Sequence, residues 1–306
     1  MAEPRSARLD RRVGAAWRQA AALPLWSEPV EPTDLRGGLS NVNFVVEDAG
    51  RKFVVRIGGD NEMHGVVRKN ELAASRAAHA AGVAPRVVHA EPGVLVLDFI
   101  EGQTFTPEDI KDPRNLGRVI DVVRRTHREI PKYLRGPGVL FWVFHVMRDY
   151  AHSLAEAPGA DLGHIRRLKA RSEELESAVG PIELVFGHND LLAANIIDDG
   201  TRLWLVDWEY SGFNSPLFDL GGLASNSEMP VSMREQMLEM YFGGPVTDEL
   251  RFRYAAMTAA SLLRETMWSM VSEIHSHIDF DFAAYTAQNL ARFEKAHAAF
   301  KAMARA

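Results

Sequence analysis

Cysteine is absent from all 306 residues, which removes disulfides, thiolate metal sites and a sulfur nucleophile from consideration. No apolar run approaches the ~20 residues that a membrane-spanning helix needs. The first residues, MAEPRSARLDRRVGAAWRQAAALPL, break their alanines with charge, so a secretory leader is not expected. An excess of basic residues is missing too. The net charge of −6 and pI near 6.0 offer no broad attraction for nucleic acid or an anionic membrane. Internal repeats and low-complexity segments are also lacking. What remains is the expectation of a soluble cytoplasmic protein with neither nucleic acid nor membrane as partner.

The elements that are present change character near residue 100. An amphipathic helix is expected over 8–23, with Leu9, Val13, Trp17 and Ala20 at helical spacing. Two antiparallel strands follow at 43–47 and 52–57, then an alanine-rich helix over 67–82, then strands at 86–90 and 94–99. From about Pro107 the pattern turns helical, with helices expected over 116–128, 141–155, 161–179, 232–242, 249–274 and 282–304. A strand pair around 196–206 interrupts them. The expected organisation is an N-terminal lobe over 1–100 and a C-terminal lobe over 101–306, with a ligand cleft between.

The densest chemistry lies in FGHNDLLAANIIDDGTRLWLVDWEYSG, where His188, Asn189, Asp190, Asn195, Asp207 and Glu209 fall within 22 positions. GHND reads as a loop between apolar stretches, and TRLWLVDW alternates as a strand with Asp207 at its end. A hard octahedral cation such as Mg²⁺ takes a few protein oxygens and completes its shell with phosphate and water. Asn195 and Asp207 supply two such oxygens, while Asp190 is a carboxylate suited to accept a proton from a hydroxyl nucleophile. Base and asparagine stand five positions apart, the spacing of kinase catalytic loops. His188 reads as a residue that orients the loop. The bland alternative is that these polar side chains only satisfy turn backbone.

Upstream, RGGLSNVNFVV is a glycine-rich turn opening into a strand. Gly37 and Gly38 allow close approach of backbone to phosphate, and Ser40 and Asn41 can donate to it. Arg56 sits among apolar neighbours and needs a counter-charge, for which Glu71 on the next helix is the natural partner. Backbone groups from Asp98 through Phe99 to Ile100 can read a purine edge. Together these give ATP and Mg²⁺ as the expected donor and cofactor.

The segments GGLSNVNFVV, FVVRIGG, LVLDFIEGQTF, GHNDLLAANII and LVDWEYSGFNSPLFDLG resemble the choline/ethanolamine kinase branch of the aminoglycoside phosphotransferase superfamily, small-molecule relatives of protein kinases. The resemblance runs from about residue 35 to 293. It implies an α+β, two-lobed protein-kinase-like fold with a small antiparallel-sheet N-lobe and a larger, mainly helical C-lobe. It further implies Asp190 as catalytic base, Asn195 and Asp207 as Mg²⁺ ligands and Asp219 as a support near the loop. The expected substrate is a small amino-alcohol, choline or ethanolamine, phosphorylated on its hydroxyl. Such a cation calls for aromatic faces and carboxylates, and the candidates are Trp208, Glu209, Tyr210, Glu265, Trp268 and Tyr285. Trp268 and Tyr285 match aromatic positions of the family's wall. Glu265 stands where the family often has a second tryptophan, and Asn226–Ser227 replaces an acidic-aromatic pair. A carboxylate in the wall favours a cation with N–H donors. Thiamine or an aminoglycoside as acceptor, and a silent kinase-like binding module, are the competing readings. A homodimer is compatible with all of them.

Overall fold

In the computed structural model, residues 5–35, 41–276 and 278–304 are described. The chain runs α1 (Arg5–Ala21), β1 (Thr33–Asp34), β2 (Val42–Asp48), β3 (Arg51–Ile57), α2 (Arg68–Ala80), β4 (Val87–Glu91) and β5 (Val94–Asp98). These strands form one antiparallel sheet in the order β1-β2-β3-β5-β4. Between β2 and β3 the chain reverses through two residues with positive φ, Ala49 at 49° and Gly50 at 72°. That geometry matches the right-handed twist of the flanking strands and fixes the register Asp48↔Arg51.

The period of two along β3 then sorts its side chains. Phe53, Val55 and Ile57 face one side, where they pack with Phe44 and Val46 of β2 against Ala16 and Ala20 of α1. Val54 and Arg56 face the other side and line a cleft. Strand alternation therefore aims Arg56 at the ligand space.

After β5 the chain forms β6 (Gln103–Thr104), α3 (Pro107–Lys111), α4 (Pro113–Tyr133), α5 (Val143–Glu156), α6 (Leu162–Val179) and β7 (Val185–Gly187). It continues through β8 (Ile196–Asp198), β9 (Leu203–Leu205), β10 (Gly212–Asn214), α7 (Pro216–Asn226), α8 (Val231–Phe242), α9 (Asp248–His275) and α10 (Phe282–Met303). The 28-residue α9 is the spine of this half: α5, α6, α7 and α10 all pack on it. Two small sheets carry the catalytic region, β6-β8-β9 and β10-β7. The larger core joins the alanine face of α2 to this helical body. The two-lobed α+β architecture agrees with the sequence reading.

Some boundaries move. Helix α4 begins at Pro113, capped by Asp112, and runs past Pro131 to Tyr133, longer at both ends than expected. Pro131 stands in the last turn, three residues before the C-cap Leu134. Helix α7 was not anticipated. Its signals are Ser215 as N-cap, Pro216 at the first helical position and Asp219 in the first turn, but its Gly221–Gly222 pair argues against helix. The two glycines are explained by packing. A Cβ at Gly221 would stand 3.0–3.2 Å from Thr258 of α9, so glycine lets the two helices touch. Among the described residues no helix is long and apolar enough to cross a membrane.

Candidate active site

The loop after β7 is strapped from below. Asp219, in the first turn of α7, accepts from the backbone N–H groups of both His188 and Asn189 at 2.7 Å. His127 of α4 bonds the same carboxylate at 2.9 Å. Burial works to raise the Asp219 pKa, but the His127 bond and these backbone donors outweigh it and hold the group ionised. Asn189 takes a left-handed conformation, φ 63°, one that asparagine tolerates better than most residues. Its side-chain amide donates to the carbonyls of Tyr210 and Gly212 at 3.0 and 3.2 Å, and its Oδ1 accepts from Asn214. The His188 Nε2 reaches the Val206 carbonyl at 2.9 Å, while its ring lies against Trp208. Asp190 is thereby presented by a rigid turn.

Asn195 donates its Nδ2 to the Asp190 carbonyl at 2.9 Å and approaches its Oδ2 at 3.4 Å. The amide nitrogen being spent there, its carbonyl oxygen is turned to other use. The backbone of Asn195 accepts from Val206 N–H, which brings Asp207 alongside. Both side chains line a cavity of about 310 Å³ with Arg56, Phe99 and Ile100. Asp207 also has a left-handed φ of 67°, and its Oδ1 accepts from Arg56 at 2.7 Å. Asn195 and Asp207 are the residues that could hold a hard cation. Among the described residues no three His, Cys, Asp or Glu side chains gather into a metal site. The donor set suits an ion that takes its remaining ligands from phosphate and water.

The cleft is crossed by a chain of charges. Arg56 Nη1 donates to Glu71 at 2.5 Å as well as to Asp207. The second oxygen of Glu71 accepts from Arg68 at 2.6 Å, and Arg68 also reaches Glu209 at 3.1 Å. Glu209 accepts in addition from Asn41 at 3.1 Å. Burial raises the Glu209 pKa and Asp207 adds to it, with Arg56 and Arg68 opposing. The Asp207 pKa stays low despite burial because Arg56 faces it.

Two sequence expectations are corrected here. Glu209 was assigned to the acceptor pocket, but it lies in the inter-lobe network, where a carboxylate this buried meets Arg68 as counter-charge and the Asn41 amide as a second donor. Trp208 was assigned there too, yet it is 3% exposed, packs on His188 and bonds the Leu205 carbonyl. Gly38 and Ser40 lie outside the described residues. The N–H groups of Asp98 and Phe99 are engaged by Arg86 and Lys52 carbonyls.

On the other side of Asp190, α9 presents Ser261, Arg264, Glu265 and Trp268 as one stripe. Trp268 donates to the Tyr210 hydroxyl at 3.1 Å, and Tyr285 donates to Glu265 at 2.8 Å. Trp268 also lines a separate cavity of about 420 Å³ beside His64. His64 bonds the Tyr150 hydroxyl and Ser272. Arg264 was missed in the sequence, although a lone arginine inside AASLLRETMW is an outlier among buried neighbours. Its guanidinium stands 4.6 Å from the Tyr210 ring centroid. With Asp190 and Glu265 it lines a small cavity of about 20 Å³. Burial pushes the Asp190 carboxyl up to about 8, against the pull of Arg264 and with help from Glu265, Asp207 and Glu209.

With this geometry in hand, relatives can be compared. LicA of Haemophilus influenzae is 29% identical over 211 residues, spanning 67% of this chain and 61% of LicA. Human ethanolamine kinase 2 is 27% identical over 292 residues, 86% of this chain and 75% of that protein. The chain thus spans well under the full length of these curated relatives. A crystal structure of a choline/ethanolamine kinase family protein from Mesorhizobium loti superposes with a TM-score of 0.75 at 31% identity, covering 92% of this chain and 94% of that one. The choline/ethanolamine kinase family model matches residues 33–236, a span that contains the strapped loop, both candidate metal-holding residues and the arginine–glutamate pair, and the chain belongs to that family of small-molecule kinases.

Proposed function

We propose that the protein transfers the γ-phosphoryl group of ATP to the hydroxyl of a small amino-alcohol. Choline and ethanolamine are the first acceptors to try, on the strength of the family. The observation that carries the reading is the juxtaposition of Asp190 with Asn195 on one side and with Arg264 and Glu265 on the other. Asp190 takes the proton of the acceptor hydroxyl. The hydroxyl's oxygen bonds the γ-phosphorus, the bond to the β,γ-bridging oxygen breaks, and ADP leaves with that electron pair. Arg56, held between Glu71 and Asp207, is aimed by β3 at the donor phosphates. Asn195 and Asp207 would hold Mg²⁺, which neutralises phosphate charge when bound. Phe99 and Ile100 line the nucleotide end, where Ile100 and nearby carbonyls are the groups left to read the base. Residues 1–100 form the nucleotide lobe and 101–306 the acceptor lobe, with the chain in the cytoplasm.

Replacing Asp190 by alanine is expected to lower transfer from labelled ATP by about 10³-fold. Nucleotide affinity should stay within a few-fold, read by calorimetry. Undiminished turnover in that variant would end the assignment. The aminoglycoside reading has no observation in its favour.

A further inference from the structure

Beside Arg56 in the nucleotide cleft stands a polar side chain that the charge network leaves unused. Asn43 of β2 is the cross-strand partner of Arg56 on β3, so the period of two sends both to one face of the sheet. Both line the cavity of about 310 Å³ that also receives Asn195 and Asp207. The backbone of Asn43 is held on its other edge too, where its carbonyl accepts from the Leu35 N–H at 2.9 Å. Its side chain is held by nothing polar. Asn43 Oδ1 is buried without a hydrogen-bond partner. Among the described residues Nδ2 has no partner either, but that end of the amide stays open to the cavity. Strands disfavour asparagine, and an unpaired amide is costly. An apolar residue would continue the strand without that cost, so the amide calls for a partner that arrives with the ligand.

Strand register says which part of the ligand that is. Phe99 and Ile100 mark the base end of the cavity, and Val54, paired with Leu97 of β5, forms the apolar row beside them. Two residues further along β3, roughly 7 Å at the strand rise, comes the row of Arg56 and Asn43. Residues directly opposite in such a pair have Cβ atoms about 5 Å apart, so one phosphate can meet both. The γ-phosphate belongs with Asp190, Asn195 and Asp207 on the other lobe. That leaves the phosphate nearest the sugar to the sheet.

We infer that Asn43 is a further binding residue for the donor, its Nδ2 donating to a non-bridging oxygen of the α-phosphate. The inference rests on the kinase reading, which puts a nucleotide in this cavity. Arg56 supplies the charge there, and Asn43 adds a neutral donor of fixed direction.

Calorimetry on the full chain with Mg²⁺ compares ADP, AMP and adenosine as ligands of the native protein, Asn43→Leu and Asn43→Asp. Leucine keeps the volume and removes the donor, while aspartate keeps the shape and offers phosphate only acceptors. Each variant is expected to bind ADP and AMP about tenfold more weakly, the scale of one hydrogen bond to a charged group. Adenosine carries no phosphate and should lose no more than about twofold. Thermal unfolding without nucleotide supplies a second readout. The Asn43→Leu midpoint should equal or exceed the native one, because an unsatisfied amide has been removed. Unchanged ADP and AMP affinity in both variants overturns the inference, as does an equal loss for adenosine. A lower midpoint for empty Asn43→Leu overturns it too, since the amide would then have a partner within the fold. If the native protein binds neither ADP nor AMP, the kinase reading falls and takes the inference with it. Native binding that the variants share overturns the inference alone.

Discussion

His64, a half-buried side chain beside Trp268, shows how one residue couples stability to pH. Burial, with Arg264 and His275 nearby, lowers its pKa from 6.5 to about 3. The unfolded chain therefore takes up a proton as pH falls below 6.5, while the folded chain resists until much lower. Its contribution to stability is complete above that value and is lost on acidification. Because the ring is partly exposed, the loss between pH 7 and 5 is expected to be on the order of 1 kcal/mol. Denaturant unfolding at the two pH values should show that drop, and His64→Gln should flatten it. An equal drop in the variant would assign the acid sensitivity to other groups. Residues of this kind were the hardest to read from sequence. Asp190, Asn195 and Asp207 stood out because they lie close to one another in the chain, whereas Arg68 and Asn41 meet Glu209 across 141 and 168 positions. No local pattern announces such a pair.

At the scale of elements, the legible ones carried a period and a stop. Strands β2 and β3 alternate cleanly around a two-residue turn, and α2 is built on alanine. Helix α7 hid itself because nearly every residue in it is buried, which erases the amphipathic signal, and because its glycines serve contact with α9. That contact makes a prediction. Gly221→Val places branched bulk against the Thr258 backbone and is expected to cost about 1–3 kcal/mol, read from the denaturation midpoint. Since Asp219 rides on the same helix, activity should fall with stability. A variant with unchanged midpoint would mean that the helices separate at no cost.

The whole molecule is tied across its cleft by the charges linking Arg56, Glu71, Arg68, Glu209 and Asp207. Glu209→Gln keeps the shape but removes one charge from the link between the sheet lobe and the helical lobe. The expected result is a rise of about tenfold in the KM for ATP, equivalent to ~1.4 kcal/mol, with a smaller change in kcat. Equal effects on acceptor and nucleotide would instead return Glu209 to the acceptor site. The fold class was legible in the sequence because each lobe repeats its own kind of element. How the lobes meet was not, because that depends on side chains from opposite ends of the chain.

The two amide donors that Asp219 receives from positions 188 and 189 have a kinetic meaning. A turn fastened to a helix in this way is already in its working shape before any nucleotide arrives, so the entropy of arranging it is lost during folding and not in each cycle. Amide protons there should exchange slowly in the empty protein and no more slowly once loaded.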